Sequence, residues 1–147
     1  MKVVIIGGVA GGASAAARLR RLDERAEIIV FERSGFVSYA NCGLPYYIGG
    51  TIAEKRELTL QTPESFWNRF RIRVKTKHEA LAIDPAAKTV TVKDLSTGKT
   101  FTESYDKLVL SPGAMPTRPP LPGIDSERIF SLRTVEDTLR IHDYVRR

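Results

Sequence analysis

The chain has 147 residues, of which 42% are hydrophobic and 27% charged, and it carries a formal net charge of +6. These values are typical of one globular domain, and the scattered basic residues favour solubility or an anionic ligand over a nucleic-acid surface, because they form no aromatic-interleaved cluster. The apolar run at residues 3–6 is too short for a signal-peptide core or a membrane span, so we expect a cytoplasmic protein.

Residues that form disulfides or bind transition metals are rare in the chain. Cys42 is the single cysteine, and the two histidines, His78 and His142, lack the spacing of a ligand pair. We therefore expect neither an intrachain disulfide nor a zinc site.

The first part of the chain has the pattern of a βαβ unit. A continuous apolar run at residues 3–6 predicts a buried parallel strand, a glycine-rich turn follows at residues 7–12, and an alanine-rich helical pattern covers residues 13–22. A second strand is predicted at residues 27–31 and ends at Glu32.

The rest of the chain predicts a second helix, a small antiparallel meander and a further strand. Thr62 and Pro63 are residue types of an N-cap and a first helical position, so we expect a helix at residues 64–70. The other predicted elements are strands at 71–74, 79–84, 89–95, 99–105 and 106–110, a proline-rich loop at 116–122, and a helix from 134 to the end. This order predicts an α/β, Rossmann-like fold with a central parallel sheet.

The glycine-rich turn resembles the fingerprint of dinucleotide-binding units, which has glycine at its first, third and sixth positions. Gly7 and Gly12 occupy the first and sixth positions, whereas Val9 stands at the third, where a side chain limits the approach of a pyrophosphate. Gly8 and Gly11 add backbone freedom on either side. The helix that starts near this turn would offer free N–H groups and a positive dipole end to phosphates.

Glu32 lies twenty positions after Gly12, at the end of the second predicted strand. An acidic side chain at this place accepts hydrogen bonds from a ribose diol. Strand, turn, helix, strand and acid together predict a dinucleotide site more strongly than glycines alone. The alternative is a doubly wound domain that binds no nucleotide.

Cys42 lies in a polar segment and precedes Gly43 and Pro45, which indicate a turn and the start of a helix. A cysteine before a helix forms the reactive thiolate more readily, so a catalytic role competes with a structural one. A single thiol cannot close its own disulfide. It would instead hold a mixed disulfide, a persulfide or a sulfenic acid.

Three segments resemble the single-cysteine pyridine nucleotide-disulfide oxidoreductases, especially the coenzyme A-disulfide reductases and the NADH-dependent persulfide reductases that carry a rhodanese domain. They are residues 7–14 (GGVAGGAS), 38–46 (SYANCGLPY) and 110–114 (LSPGA), and the resemblance covers essentially the whole chain. The family normally has valine at the third fingerprint position, so Val9 agrees with FAD binding. Its usual Ser-Phe pair before the cysteine is Ser38-Tyr39 here.

The resemblance implies an FAD/NAD(P)-binding domain that uses FAD, with NAD(P)H as electron donor. Cys42 would be the redox-active nucleophile beside the flavin ring, Glu32 and Arg33 would hold the adenosine, and the main chain near Ala80 would meet the adenine. Residues 111–113 resemble the second FAD-contacting loop of the family, and Arg133 would lie close to it. The expected cofactor-binding residues are Gly7, Gly8, Val9, Ala10, Gly11, Gly12, Glu32, Arg33, Asn41, Cys42, Ala80, Ser111, Pro112, Gly113 and Arg133.

Ser14, Arg18 and Arg21 match positions that contact coenzyme A in the reductases. Their spacing places them on one helical face, where the arginines would receive phosphates; a solvated helix face is the alternative. Phe70 stands where some members have a coenzyme A-binding lysine, which weakens this assignment. The expected substrate contacts are Ser14, Arg18, Arg21, Ser38 and Asn41.

In the family the FAD domain is discontinuous, and NAD(P)H and dimerisation domains follow its first part. Residues 1–147 contain no second glycine fingerprint, and no stop signal follows the last helical pattern. We therefore expect the N-terminal part of the FAD-binding domain of a homodimeric enzyme. This part alone is expected not to turn over NADH and to bind FAD weakly or not at all.

Three other functions are compatible with these residues. Cys42 would act as a sulfenic acid in an NADH oxidase or peroxidase. A non-catalytic dinucleotide-binding redox module would carry Cys42 as a structural residue, and slow alkylation of the thiol would support that interpretation. Nucleic-acid binding through the positive charge has no motif to support it.

Overall fold

The computed structural model describes every residue from Met1 to Arg147, and the chain forms two compact units. The first unit comprises residues 1–39 and 61–112, and the second comprises residues 40–60 and 113–147. Each unit is therefore assembled from two separate stretches of the chain.

The regular elements follow one another in βαβ order and then in a run of strands. The strands are β1 Lys2–Ile6, β2 Glu27–Glu32, β3 Arg73–Thr76, β4 His78–Asp84, β5 Thr89–Asp94, β6 Thr100–Ser104 and β7 Lys107–Leu110. The helices are α1 Ala10–Leu22, α2 Leu44–Ile48, α3 Pro63–Phe70 and α4 Val135–Val145. The structure contains no helix with the length and apolar character of a membrane span.

The first unit is built on a four-stranded parallel sheet in the order β3-β2-β1-β7. Its two central strands are continuous runs of β-branched and aromatic residues that are buried on both faces, as parallel strands require. Helices α1 and α3 cover one face through Ala13, Ala16 and Phe66. The small alanines allow α1 to lie close to the sheet.

The other face of the sheet is covered by the antiparallel meander β4-β5-β6. Val90 and Val92 of β5 pack against Val4, Ile29 and Phe31 of the parallel sheet. The α/β fold with a parallel sheet and a small meander is therefore confirmed.

Three predicted boundaries were wrong by two residues or more, and one of them is the end of the last helix, which lies at Val145 rather than at residue 147. Helix α1 begins at Ala10 rather than at residue 13, because Gly7 alone reverses the chain and Val9 already serves as the N-cap. Strand β3 begins at Arg73 rather than at residue 71, because Arg71 has a left-handed conformation (φ 50°) and ends α3.

Helix α3 begins as the sequence predicts. The Thr62 hydroxyl accepts a hydrogen bond from the Ser65 N–H at 3.2 Å, and the Ser65 hydroxyl accepts one from the Thr62 N–H at 2.8 Å. This reciprocal cap satisfies two N–H groups that a helix end would otherwise leave unpaired. The Glu64 backbone N–H, followed by the Thr62 hydroxyl, lowers the pKa of the Glu64 carboxyl.

The second unit contains α2, α4 and short 3-10 turns at Asn41–Gly43 and Lys55–Leu58. Leu44, Leu58 and Val135 are its fully buried apolar side chains. The Tyr47 ring of α2 packs on His142 of α4 with ring centroids 4.9 Å apart. Thus α2, which directly follows Cys42, rests on the last helix of the chain.

Candidate functional site

The glycine turn after β1 is shaped by contacts that exclude side chains. Gly7 has a φ of +93°, and its N–H donates to the Phe31 carbonyl of β2 at 2.8 Å. A Cβ on Gly7 would overlap the carbonyl oxygen of Ser111, whose own N–H donates to the Ile6 carbonyl at 2.8 Å. The second predicted loop therefore lies directly against the first.

Glu32 holds the next residue of the turn. Its Oε2 accepts a hydrogen bond from the Gly8 N–H at 2.7 Å and its Oε1 accepts one from the Ser34 N–H at 2.8 Å, while the residue is only 9% exposed. Each carboxylate oxygen keeps a further lone pair that can accept a hydroxyl proton. Glu32 is thus fixed beside the turn and retains the capacity to bind a ribose diol.

We expect Glu32→Gln to lower the free energy of unfolding by about 1–3 kcal/mol. The backbone N–H groups of Gly8 and Ser34 each donate to one Glu32 carboxylate oxygen. The NH2 group of a glutamine side chain cannot accept a hydrogen bond, so one of these two buried donors would lose its partner. Urea unfolding of the intact protein measures this change. Glu27→Gln at the exposed start of β2 is the matched control, because its ion pair with Arg73 lies on the surface. Equal stability of the two variants would contradict the prediction.

Residues 37 and 38 also support the turn, which the sequence analysis missed. Val37 is buried, with its Cγ2 2.9 Å from the position of a Cβ on Gly8. Ser38 has a left-handed backbone (φ 50°), and its N–H donates to the Gly8 carbonyl at 2.9 Å. Both backbone groups of Gly8 are therefore bonded. A lone serine carries no sequence signal for such a conformation, and Ser38 was predicted only as a substrate contact.

The N-terminus of α1 is open to an anion. The first intrahelical hydrogen bond runs from the Ala13 N–H to the Val9 carbonyl, so the N–H groups of residues 10–12 precede the hydrogen-bonded ladder. No side chain caps this end and no acidic residue stands in the first turn. Ser111 Oγ lies 3.2 Å from the position of a Cβ on Gly11, which brings a hydroxyl to the same end. These groups suit the phosphates of a dinucleotide.

Arg33 and Ala80 also belong to the first unit. Arg33 is exposed and pairs with Glu79 of β4 at 3.5 Å. The Ala80 methyl group packs on the apolar cluster between the parallel sheet and the meander. The register of β4 with β5 shifts between Ala80 and Ala82. The shift leaves irregular main chain at the place where the adenine contact is predicted.

Ser14, Arg18 and Arg21 share the exposed face of α1, as their spacing predicts. No carboxylate lies within ion-pair distance of Arg18 or Arg21. Phe70, the position of the lysine in some members, instead packs its ring on the core beside Phe66, with centroids 6.1 Å apart. The Phe70 side chain is therefore partly buried against the core, whereas its sequence neighbours Arg69 and Arg71 are exposed.

Cys42 belongs to the second unit and is exposed. It stands in the 3-10 turn Asn41–Gly43, from which the chain passes directly into α2, as its glycine and proline neighbours predict. Gly43 is enclosed, since a Cβ there would lie 3.2 Å from Ile52 and 3.3 Å from Leu58. The Asn41 Oδ1 atom is buried and has no hydrogen-bond partner. A hydrogen-bond donor on a bound molecule would satisfy this oxygen. Buried side-chain oxygens without a hydrogen-bond partner are uncommon in folded proteins.

Gly113 and Arg133 meet in the second unit. The Arg133 Nε donates to the Ala114 carbonyl at 3.3 Å, and one of its terminal nitrogens lies 3.3 Å from the position of a Cβ on Gly113. Gly113 has a φ of +72°, which favours glycine. The structure thus brings Arg133 to the loop after Pro112, as predicted. No group of three or more His, Cys, Asp or Glu side chains is arranged to hold a metal ion.

The first unit therefore has the features of a dinucleotide-binding βαβ domain, and the second presents one exposed thiol. The family model described as pyridine nucleotide-disulphide oxidoreductase matches residues 1–147. The chain belongs to this family of oxidoreductases, and the resemblance found in the sequence is confirmed.

Individual relatives agree with this membership. Coenzyme A disulfide reductase of Staphylococcus aureus (strain JH9) is 45% identical over 145 residues, which are 99% of this chain and 32% of that protein. The chain thus spans about a third of the curated relatives that it matches.

Solved structures include reduced Bacillus anthracis CoADR-RHD (51% identity, TM-score 0.96, covering 99% of this chain and 26% of that one). A NAD-dependent persulfide reductase from A. fulgidus has 38% identity and a TM-score of 0.92 (97% and 27% covered). A water-forming NADH oxidase from Lactobacillus brevis has 36% identity and a TM-score of 0.92 (99% and 32% covered).

Proposed function

We propose that this chain is the FAD-binding part of an NAD(P)H-dependent flavoprotein that reduces coenzyme A disulfide or low-molecular-weight persulfides through Cys42. The observation that carries the proposal is the exposed single thiol in the turn before α2, in a chain whose first unit has a Glu32-anchored glycine turn. The 45% identity to a coenzyme A disulfide reductase supports the substrate class.

The residues of the first unit suit FAD. The open N-terminus of α1 would bind the pyrophosphate, and Glu32 would accept hydrogen bonds from the ribose of the adenosine. Gly7 and Gly12 allow the turn to pack against Ser111 and the start of α1 at places where a Cβ would overlap backbone atoms. When bound, FAD supplies two-electron transfer between the nicotinamide and a sulfur centre.

Cys42 performs the sulfur chemistry in this proposal. Its thiolate attacks one sulfur of coenzyme A disulfide, so the substrate S–S bond breaks, a mixed disulfide forms on Cys42, and one coenzyme A thiolate leaves. Two electrons from NAD(P)H and one proton then release the second coenzyme A as a thiol and regenerate the Cys42 thiolate. With a persulfide, the Cys42 thiolate would attack the outer sulfur, so the substrate S–S bond breaks, the substrate leaves as its thiolate, and a persulfide forms on Cys42. Two electrons from NAD(P)H and one proton would then release that sulfur as hydrosulfide and regenerate the Cys42 thiolate.

Asn41 and Ser38 would orient the substrate thiol group, and Ser14, Arg18 and Arg21 would bind its distal, phosphate-bearing part. The unpartnered Asn41 Oδ1 supports a role for Asn41 in binding. The unpaired arginines on one exposed face support a polyanionic ligand.

The whole-protein arrangement belongs to the same proposal. Residues 1–147 would form the N-terminal part of a discontinuous FAD-binding domain, and the intact enzyme would be a cytoplasmic homodimer with a separate NAD(P)H domain. The coverage of only 32% of a curated relative supports further domains in the functional protein.

Steady-state oxidation of NADH by the intact protein tests the function. Parallel assays use coenzyme A disulfide, coenzyme A persulfide, hydrogen peroxide and oxygen as acceptors. We expect the highest kcat/KM with one of the two coenzyme A substrates. The second candidate is an NADH oxidase with Cys42 as a sulfenic acid, which the 36% identity to a water-forming NADH oxidase favours, and a preference for oxygen or peroxide would establish it.

The double variant Arg18→Ala/Arg21→Ala should raise the KM for coenzyme A disulfide roughly two- to thirtyfold, because each exposed charge pair contributes about 0.2–1 kcal/mol. The change in kcat should be small, since these groups do not reach the reacting sulfur. Lys99→Ala/Arg128→Ala removes the same number of exposed charges elsewhere and is the matched control. An equal increase in KM for both double variants would indicate a general charge effect instead.

A further inference from the structure

Lys77 is the single residue between β3 of the parallel sheet and β4 of the meander. Its backbone is left-handed (φ 57°), and this conformation turns the chain from one sheet into the other. A residue with a Cβ keeps such a conformation only where surrounding contacts hold it. The Lys77 side chain is exposed and makes no hydrogen bond or ion pair, so these contacts come from the main chain.

Both main-chain groups of Lys77 are bonded. Its N–H donates to the Ser34 carbonyl at 2.9 Å, and its carbonyl accepts a hydrogen bond from the Leu95 N–H at 2.8 Å. Ser34 lies in the loop after β2 of the parallel sheet, whereas Leu95 directly follows β5 of the meander. Lys77 therefore joins the loop after β2 to the meander.

Ser34 extends this connection to Glu32. The Ser34 N–H donates to Glu32 Oε1 at 2.8 Å, and Oε2 of the same carboxylate accepts a hydrogen bond from the Gly8 N–H at 2.7 Å. An unbroken series of hydrogen bonds thus runs from the glycine turn through Glu32, Ser34 and Lys77 to Leu95.

The neighbours of Lys77 also contact the end of β2. Thr76, directly before Lys77, pairs with Glu32 in the register of β3 with β2. The His78 ring, directly after Lys77, stacks on the Phe31 ring with centroids 6.0 Å apart and an interplanar angle of 27°. Strand pairing, ring stacking and the hydrogen bond to the loop therefore fix this junction against the end of β2.

We propose that Lys77 is a positioning residue whose left-handed backbone fixes Ser34 and thereby orients the Glu32 carboxylate for the adenosine ribose. This inference rests on the proposed function and deepens it, since Glu32 is the group that would bind the ribose of FAD. Rotation of Lys77 out of the left-handed region would release the Ser34 carbonyl. Glu32 would then keep its hydrogen bond from Gly8 but lose the fixed orientation of Oε1.

Lys77→Val tests the inference, because a β-branched residue strongly disfavours a left-handed backbone. The probes are FAD and its analogue without the 2′-hydroxyl of the adenosine ribose, titrated into flavin-free intact protein. The wild type should bind FAD about tenfold or more tightly than the analogue, since the analogue lacks one hydrogen bond to a charged acceptor. Lys77→Val should raise the Kd for FAD about fivefold or more and reduce this discrimination to less than about threefold.

Two variants with the same loss of charge separate backbone from side-chain effects. Lys77→Gly suits the left-handed conformation, so it should keep the wild-type Kd and discrimination. Lys88→Val makes the same change at another left-handed lysine (φ 51°), in the turn between β4 and β5, and should also keep the discrimination. A Lys77→Val protein that retains the wild-type discrimination, or a Lys88→Val protein that loses it to the same extent, overturns the inference.

Hydrogen exchange of the wild type keeps the test decisive if Lys77→Val does not fold. Addition of FAD should slow exchange of the Lys77 and Leu95 amides about threefold or more relative to the Tyr105 amide, which donates to the Lys88 carbonyl. Protection confined to the Gly8 and Ser34 amides would overturn the inference and leave FAD binding intact. Intact wild-type protein that binds no FAD would refute the proposed function and the inference together.

Discussion

Cys42→Ser should reduce the turnover of coenzyme A disulfide by at least about 10³-fold, because removing a covalent nucleophile costs a factor of this order or more. The serine hydroxyl is not ionised near neutral pH, and it forms no stable mixed disulfide. Since Cys42 is the single cysteine of the chain, no other thiol in these residues can replace it. NADH consumption in the presence of coenzyme A disulfide measures the loss.

Asn68→Ser is the matched control for this experiment. Asn68 is exposed on α3, its side chain makes no hydrogen bond or ion pair, and it is not among the predicted site residues. Its kcat/KM should stay within about twofold of the wild type, as exposed substitutions of this kind have small effects. Retention of a tenth or more of the activity by Cys42→Ser would show that Cys42 is structural. That outcome would favour the non-catalytic dinucleotide-binding module.

The covalent product that forms on the Cys42 thiol can be identified without steady-state turnover. Electrospray mass spectrometry of protein incubated with coenzyme A disulfide should detect one coenzyme A attached to the wild type and none attached to Cys42→Ser. Hydrogen peroxide followed by a sulfenic-acid trap distinguishes the oxidase candidate, in which the thiol would carry one oxygen. These two products correspond to the two candidate functions, so the experiment separates them at the same atom.

The central architecture of this chain could be predicted from its sequence because periodicity is strong there. The apolar runs of β1 and β2 and the alternation in β5 identify a parallel strand pair and a half-buried strand, and the structure has both. The glycine turn and Glu32 were also predicted together, since their spacing along the chain is short and their geometry is local. The pattern could not predict the exact start of α1, because glycines disfavour helices and two of them, Gly11 and Gly12, lie in its first turn.

Features that depend on distant partners were not predictable. Arg18, Arg20 and Arg21 have the same character in the sequence, yet only Arg20 finds five carbonyls, and these come from the far end of α3 as well as from its own loop. Ser38 likewise gives no sign of its left-handed backbone, which is stabilised by the Gly8 carbonyl. Phe70 was aligned with a ligand-binding lysine, but its burial against Phe66 could be known only once α3 was placed on the sheet. Local patterns thus identified the candidate binding groups, and tertiary contacts determined which of the neighbouring groups are structural.

Gly12→Ala should destabilise the protein by about 3 kcal/mol, at the upper end of the cost of inserting a methyl group into a tightly packed place. A Cβ on Gly12 would overlap the carbonyl oxygen of Gly7 and lie 3.1 Å from the Ile5 side chain. Neither obstacle can rotate away, because one is backbone and the other is a buried strand residue. Either α1 must move from the sheet or the turn must open, and both changes disturb the hydrogen bond from Gly8 to Glu32.

Gly11→Ala is the control for this comparison, since it makes the same chemical change one residue earlier in the same helix. A Cβ on Gly11 would meet only the Ser111 side chain, at 3.2 Å and 3.4 Å, and that side chain can adjust. Replacing a helical glycine by alanine is otherwise favourable by about 1 kcal/mol, so we expect Gly11→Ala to be close to neutral in stability. Urea unfolding of both variants, together with their bound FAD, measures the difference. If the two variants unfold within about 1 kcal/mol of each other, the close contact between α1 and the turn does not limit this position.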